Sequence, residues 1–514
     1  MLINRIIGYA CDVNPGLPAF VGLDGVEVSY AQFGEATRRV AGGVAALEPR
    51  AGASVGILAL NSIPYLEVFL GAMWGGRVAV PLNIRWSGRE LAYAIEDAGI
   101  EVLFVDDQFA PLVEQIRALA PRLRQVVHMG VRPTPPGMVD GAGVRSAEPI
   151  DPVPVTADTV AAVVYTGGTT GFPKGVMHTQ GSLLASAANC LCFGSPAKGS
   201  RYLLAVPLFH VGGYGLAFAQ LLNGGTLVPL PMFRPDLVRT AVLQRGVDSI
   251  GLVPTMLGML MDAPGFAAVD YAGIRAFAYG ASPMPLPLLR RVMETFPHAQ
   301  LTQVYGMTEV GVATMLPDHW HRGPQARVTA AGQPGPLYKV RIEDPDGREL
   351  PRGQLGEVVF YGPGVMKGYL NKPEATAEAL RGGGMHSGDA GIMDEDGVIT
   401  LLDRIKDMIV TGAENVYSVE VENAVAKHPA VAMCAVIGIP DEKFGEGVHA
   451  VAVLKPGAAL TIDELRAHCA TLIAGYKCPR SLELRDAMPL SAMGKILKAD
   501  LRAPHWAGRG RRLN

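Results

Sequence analysis

Short apolar runs alternate with stretches of helical spacing along most of the chain. Thr159 to Thr166 (TVAAVVYT), Tyr202 to Val206, Ser249 to Val253 and Arg275 to Tyr279 have the length and texture of buried strands. Between them, Leu286 to Phe296 places Leu289, Val292, Met293 and Phe296 on one helical face. That alternation predicts an α/β protein with largely parallel sheets. Arg132 to Val155, rich in proline and glycine, reads as a surface connection between two subdomains. Near Val340 the texture changes. The stretch VRIEDPDGRELPRGQLGEVVFYG reads as strands joined by turns, DPDG being a strong turn signal, and predicts a β-rich subdomain. From Asp407 a last segment carries its own pattern: strands at Val431 to Ile437 and Val448 to Leu454, and a helix at Thr461 to Ala474. It is long enough for an independent small α+β domain. The expected division is therefore 1–405 and 406–514, with no internal repeat of fixed period.

Composition narrows the function classes. A chain of 514 residues, 49% hydrophobic, exceeds one core and suits several subdomains. A formal net charge of −3 gives no electrostatic reason to expect nucleic acid or an anionic membrane. The local exception, Arg509, Arg511 and Arg512 beside Trp506, reads as a solvated terminus. Six cysteines show neither a CxxC pair nor metal-ligand spacing with histidine, so buried thiols in a reducing compartment are expected. The N-terminus lacks the long apolar core of a secretory signal, and no apolar run approaches the ~18 residues of a membrane span. These features predict a soluble cytoplasmic protein. Its oligomeric state is open, a homodimer being compatible.

The most informative stretch is Tyr165 to Val176, YTGGTTGFPKGV. A buried strand runs into four glycines, three threonines and one lysine. Glycines let backbone N–H groups approach an anion closely, while hydroxyls and the Lys174 ammonium add donors and charge. A polyphosphate is the natural ligand. The pattern is not GxxxxGK[ST], because Lys174 follows proline and precedes glycine. A simple surface turn needs far fewer glycines, so that reading is the weaker one.

Six further motifs follow in order: PLFHVGG (Pro207 to Gly213), YGASP (Tyr279 to Pro283), YGMTE (Tyr305 to Glu309), SGD (Ser387 to Asp389), DRIKDMIVTGAENVY (Asp403 to Tyr417) and PLSAMGKILK (Pro489 to Lys498). Together with the glycine-rich loop, they resemble the adenylate-forming superfamily of acyl- and aryl-CoA synthetases, luciferases and peptide-synthetase adenylation domains. The resemblance covers nearly the whole chain and implies ATP, Mg2+ and coenzyme A as partners, with a small C-terminal domain that rotates between two half-reactions.

The resemblance also implies roles. Thr166, Gly168, Thr169, Thr170, Gly171 and Lys174 would hold ATP phosphates; Glu309 would bind the magnesium ion, with Thr308 reaching the phosphate. Tyr305 would pack on adenine, with Gly280, Ala281, Ser282 and Gly306 around the base. Asp389 would accept the ribose hydroxyls beside Arg404, and Lys495 would stabilise the adenylation transition state. Lys406 occupies the hinge position, and Gly412 and Ala413 line the pantetheine tunnel, with Lys443 and Lys477 as candidate contacts to coenzyme A phosphates. Lys498, by contrast, reads as a solvated lysine near the tail. His210 resembles the gate between acyl pocket and thiol tunnel, although a lone histidine beside apolar residues is more often structural.

Five positions depart from the family pattern. Gly167 stands for serine, Gly384 for tryptophan, Ser387 for threonine, Ala413 for glycine and Ser418 for proline. The candidate acyl pocket gathers His210, Gly212, Gly213, Tyr214, Tyr279, Gly280, Val304, Gly306 and Val310. It is mostly apolar with no arginine for a second carboxylate, so a hydrophobic monocarboxylic acid fits and malonate fits poorly. Tyr214 and Tyr279 could frame an aromatic ring and offer it a hydroxyl, or could be ordinary packing. The balance leans to ferulate- or coumarate-like acids, with medium- or long-chain fatty acids close behind. A leucine at Gly213 is expected to narrow this pocket. Loading of a carrier protein and a silent nucleotide- or acyl-binding role stand as alternatives, the latter opposed by the joint presence of Glu309 and Lys495.

Overall fold

The computed structural model describes residues 2–166, 173–193, 196, 198–412, 414–491 and 494–507. Two large, mainly parallel sheets form its greater part. One has eight strands, with Val160–Thr166, Val78–Pro81, Ser54–Leu58, Val102–Val105, Gln125–His128 and Val139–Asp140 running parallel. Its other edge is antiparallel, made by Lys174–Thr179 and Gly368–Tyr369. The second has nine strands, and its parallel centre runs from Gln300–Met307 through Ala276–Gly280, Ser249–Leu252, Arg201–Leu204 and Thr226–Pro229 to Pro18–Val21.

Helices Ile63–Trp74 and Val211–Leu222 lie in the layer shared by both sheets. They are apolar almost all round, and Tyr65 to Trp74 of the first are buried without a break. One continuous core joins Val55 and Ile57 of the first sheet to Phe20, Tyr202 and Leu227 of the second through Phe69 and Phe218. A four-stranded antiparallel sheet (Lys339–Glu343, Gly356–Tyr361, Met385–Met393, Ile399–Arg404) forms the β-rich part. After Arg404 the strands among the described residues belong to a separate five-stranded sheet, centred on Gly445–Leu454, with its own core and, among those residues, three α-helices. The α/β class with a smaller α+β domain is the one the hydrophobic pattern predicts.

Element positions follow the sequence closely. The helix expected from Leu286 spans Leu286–Thr295, and that expected from Thr461 spans Ile462–Ala470, with Thr461 and Glu464 forming a capping box. The segment from Arg132 to Val155 is a correction. It contains a short strand and the Gly141–Arg145 helix, and it connects two strands of one sheet rather than two subdomains. Its return leg is fastened down by Trp74, whose Nε1 donates to the Ile150 carbonyl at 2.9 Å and whose carbonyl accepts from Val153 N at 3.0 Å. Composition marks such a segment as irregular, but says nothing about where its two ends attach. Cys192 is exposed, against the expectation of buried thiols, whereas Cys190, Cys469 and Cys478 are buried. Among the described residues no helix is long and apolar enough to cross a membrane.

Candidate active site

Parallel strands deliver their carboxyl ends to one edge of the nine-stranded sheet, where ligands of α/β folds collect. Tyr279 and Gly280 end one strand, Tyr305 to Met307 end the next, and the PLFHVGG loop follows Arg201–Leu204. From Thr302 to Met307 every residue is partly accessible, so this internal strand borders an open cleft and not a packed core. Gly306 is there for close approach: a Cβ would lie 1.8 Å from the Gly311 carbonyl of the neighbouring strand. A Cβ on Gly280 would meet the Val304 carbonyl at 2.2 Å. Ala281 turns the chain with a left-handed φ of 66°, a strained setting for a residue with a Cβ.

Asp389 is the centre of the polar network. It is buried, its Oδ2 accepts from the Tyr305 hydroxyl at 2.7 Å, and its Oδ1 pairs with Arg404 Nε at 3.1 Å. Ser387 holds it in place by accepting from Asp389 N at 3.0 Å while donating to the Val358 carbonyl at 2.6 Å. The serine found instead of threonine thus retains the hydroxyl that matters. Burial and the Asp389 charge push the Tyr305 phenol well above its ordinary pKa, so it stays a hydrogen-bond donor.

Glu309 is buried beside Thr308, and its Oε1 accepts from the Tyr369 hydroxyl at 2.8 Å. Burial raises its pKa above the usual carboxylate range, more than the Tyr369 bond and nearby cations lower it. A carboxylate in that condition favours a cation, and one carboxylate with phosphates and waters is the donor set that suits magnesium. The Lys174 ammonium lies 4.9 Å from the centre of the Tyr369 ring, so Tyr369 links lysine to glutamate. Behind them His178 Nε2 donates to the Thr308 carbonyl at 2.7 Å. Burial drives the His178 pKa down to about 4, keeping the ring neutral. Thr166 ends its strand and donates to the Lys174 carbonyl at 3.4 Å; Gly167, Gly168, Thr169, Thr170 and Gly171 lie outside the described residues.

His210 caps the Val211–Leu222 helix, its Nδ1 accepting from Gly212 N at 3.2 Å. Lys495 of the C-terminal domain comes close enough to join burial in lowering the His210 pKa to about 4. Lys495 itself is solvent-exposed at the cleft. Surrounding protein, followed by the Arg404 charge, nevertheless pulls its pKa down to about 8, against the opposing pull of Asp389 and Asp407. The fold therefore brings Lys495, Arg404, Asp389 and His210 together from four separate motifs.

Other candidates are placed differently. Lys477 is tied to Glu420 at 2.7 Å, which occupies the charge offered to a phosphate. Lys443 is exposed with its ammonium 5.1 Å from the Phe444 ring, and a Cβ on Gly412 (φ 61°) would touch that same ring at 3.0 Å. Ala413 lies outside the described residues, as do Arg509, Arg511 and Arg512. Lys406 is half-buried, and burial with the Arg404 charge lowers its pKa. Lys498 is not a solvated lysine: it is largely buried, pairs with Glu422 at 2.8 Å and donates to Ser418 Oγ at 2.6 Å. Ser418 in turn donates its backbone N–H to Asp403 Oδ2 at 2.5 Å, a bond that proline could not make.

The acyl-pocket set also needs correction. His321 Nδ1 donates to the Pro317 carbonyl at 3.0 Å, so its Nε2 accepts the Tyr279 hydroxyl at 2.7 Å. That hydroxyl is committed away from any substrate. Val310 is fully buried in the core beneath Tyr338, and Tyr214 packs among Phe69, Phe218 and His178. A Cβ at Gly213 would strike the Pro207 carbonyl at 2.2 Å, so leucine there would break the turn before it narrowed a pocket. Gly212 faces His210 Nδ1 and Val206 at ordinary contact distance, and Val304 stays partly open. Sequence reading missed Tyr369, His178 and also Asn61, whose Oδ1 accepts from Leu208 N at 2.8 Å and holds the PLFHVGG loop. The only cue for them was a polar residue within an apolar or glycine-rich neighbourhood.

Comparison with known proteins supplies an independent view. The profile of the AMP-binding enzyme family matches residues 9–370, and that of the AMP-binding enzyme C-terminal domain matches residues 420–495. A feruloyl-CoA synthase from Amycolatopsis sp is 39% identical over 93% of this chain and 94% of its own length. The fatty acid–[acyl-carrier-protein] ligase ScoC of Streptomyces coeruleorubidus is 35% identical over 97% and 96%. The crystal structure of ATP-bound MatB from Rhodopseudomonas palustris superposes with a TM-score of 0.89 at 29% identity, covering 98% of this chain and 99% of that one.

Proposed function

The chain belongs to the AMP-binding enzyme family and is an ATP-dependent acid–thiol ligase, and from that premise we propose that it activates a hydrophobic aryl or phenylpropenoid acid for transfer to coenzyme A. The acid's carboxylate oxygen attacks the α-phosphorus of ATP and pyrophosphate leaves. The thiol sulfur then attacks the acyl carbon, and AMP leaves as the thioester forms. One observation carries the first step: Lys495 stands within electrostatic reach of Asp389, Arg404 and His210. A cation at that point offsets the charge that builds between two anionic reactants.

Asp389 and Arg404 hold the ribose, Tyr305 and the Gly280-Ala281-Ser282 turn hold the base, and Thr166 and Lys174 flank the phosphates. Glu309, with Thr308, holds the magnesium ion, which neutralises phosphate charge when bound. His210, neutral and at a helix N-terminus, separates the acyl side from the thiol side. The hinge falls at Lys406, between the last strand of the β-rich sheet and the first strand of the C-terminal one. Rotation there withdraws Lys495 and brings Gly412 towards the site. Lys443 stays available for coenzyme A phosphates; Lys477 does not, being held by Glu420.

The feruloyl-CoA synthase relative supports the ring-bearing acid. A second reading, a fatty acid delivered to a carrier protein, is supported by the likeness to ScoC. AMP release with MgATP over ferulate, coumarate, benzoate, octanoate, palmitate and malonate, with and without coenzyme A, decides between them. Turnover on ferulate or coumarate that requires coenzyme A supports the proposal. Preference for octanoate or palmitate overturns the aryl assignment, and adenylate formation indifferent to coenzyme A points to a carrier protein.

A further inference from the structure

Within the C-terminal domain, three side chains converge without a role in the reaction above. His449 lies on the Gly445–Leu454 strand, Glu483 on the parallel Ser481–Leu484 strand, and His505 on the Lys498–Trp506 helix. Pairing sets His449 opposite Ser481 and Val451 opposite Glu483, so the strand residues share the sheet face that the helix covers. Their ligand atoms lie within 4.8 Å of one another. We propose that His449, Glu483 and His505 form a binding site for a divalent transition metal of the zinc class.

His449 carries the argument. It is 5% exposed, and its Nε2 has no hydrogen-bond partner among the described residues, a costly state for a buried polar atom. Its Nδ1 lies 2.7 Å from Ser481 Oγ, which fixes the ring. When Nδ1–H donates to that hydroxyl, the Nε2 lone pair is left free and aimed at Glu483. This is how metal-binding histidines are oriented by an outer partner. Glu483 Oε2 is 3.6 Å from His449 Nε2 and 3.8 Å from His505 Nε2. Both are too long for direct hydrogen bonds. They are close to the ~3.4 Å that separates donors sharing a tetrahedral ion at about 2.0–2.2 Å.

The donor set fits as well. Two imidazoles and one carboxylate suit zinc-like ions far better than magnesium or calcium. Burial, then His505, lowers the His449 pKa and keeps the ring neutral, as a ligand must be. Burial raises the Glu483 pKa, but Arg485 and His449 outweigh it and hold the carboxyl below its usual range. Arg485 Nε binds the other oxygen, Oε1, at 2.5 Å, which orients the carboxylate; its charge is also the chief opposition to a bound cation. An ion here would clamp the last helix to the sheet, and that helix begins three residues after Lys495.

Metal-stripped full-length protein titrated with Zn2+ alone tests the site. One equivalent of Zn2+ should bind and raise Tm, and 1 mM-scale Mg2+ should not displace it. His505→Gln and Glu483→Gln should each weaken Zn2+ binding at least tenfold while adenylation stays unchanged, since neither residue is part of the reaction site. Co2+ should give the intense visible absorption of a tetrahedral complex in wild-type protein and lose it in both variants. Equal Zn2+ uptake by wild type and both variants, or no uptake by wild type, overturns the assignment.

Discussion

The two walls of the cleft are built on different terms. On the large-domain wall, Asp389 receives bonds at 2.7 Å from Tyr305 and 3.1 Å from Arg404, and its own N–H is fixed by Ser387 at 3.0 Å. On the opposite wall, the loop bearing Lys495 is braced internally, by Ser491 N to the Lys495 carbonyl at 2.7 Å and Lys495 N to Ser491 Oγ at 3.1 Å. Across the gap runs an exposed bond at 3.1 Å from Arg85 to the Ser491 carbonyl, and a Cβ at Gly494 would meet Thr255 Oγ1 at 2.3 Å, so the loop lies against that residue only because position 494 has no side chain. One wall is preorganised by buried, charge-assisted bonds; among the described residues, the other carries bonds internal to its loop and an exposed bond across the gap. In the proposed two-step reaction, the bonds of the fixed wall do not involve Lys495, so they remain when it is withdrawn.

The comparison is broken most severely by Lys495→Ala. Adenylation should fall about 10²- to 10³-fold, while thioester formation from supplied acyl-adenylate is largely spared. Single-turnover assays of each half-reaction check this; an equal loss in both would unite the two walls in one function. Asp389→Asn attacks the fixed wall instead. It weakens charge-assisted bonds to Tyr305 and Arg404, so both half-reactions should lose about ten- to a hundredfold, chiefly through weaker nucleotide binding. Isothermal titration with AMP measures that loss directly.

A pH profile sharpens the contrast without mutation. The Lys495 pKa is lowered to about 8, so its protonated fraction falls as pH rises through that value. Adenylation kcat/KM, which reports the free enzyme, should therefore drop by up to about tenfold per unit above pH 8. The thioester half-reaction should show no such limb, and Lys495→Ala should erase it from what adenylation remains. Smallest of all, Arg85→Ala removes an exposed bond from the docking wall. A fewfold loss in adenylation alone is expected, with Tm unchanged within about 1 °C.

Much of this site was legible because its chemistry is written in contiguous motifs. The glycine-rich loop, YGMTE, SGD and the Lys495 segment each announce themselves in a few residues, and hydrophobic runs place the strands that carry them. What stayed hidden depends on partners far apart in sequence. Tyr369 meets Glu309 across 60 positions, and His178 meets the Thr308 carbonyl across 130. Tyr279 looked available for substrate because no local pattern reveals His321 as its partner. Lys498 looked solvated for the same reason, since Glu422 and Ser418 reach it from another helix. The Arg132 to Val155 connection was misjudged because proline and glycine content reports local irregularity and not the strands being joined.

Gly384 carries a consequence for how this chain can change. Its backbone is ordinary, with φ −111°, but a Cβ would lie 2.5 Å from the Tyr361 ring and 2.6 Å from Val359. Tyr361 is not free to step aside: its hydroxyl donates to Glu343 at 2.7 Å and Arg341 stacks on its ring at 4.9 Å. A tryptophan at this position, as the family resemblance leads one to expect, does not fit by one substitution. A smaller residue at 361 removes one obstacle, at the loss of the Glu343 bond, and leaves Val359 in place as the other. Position 384 is thus tied to two neighbours at once: a library that varies it alone will record it as intolerant, and room for a large side chain opens only where 359 and 361 vary with it.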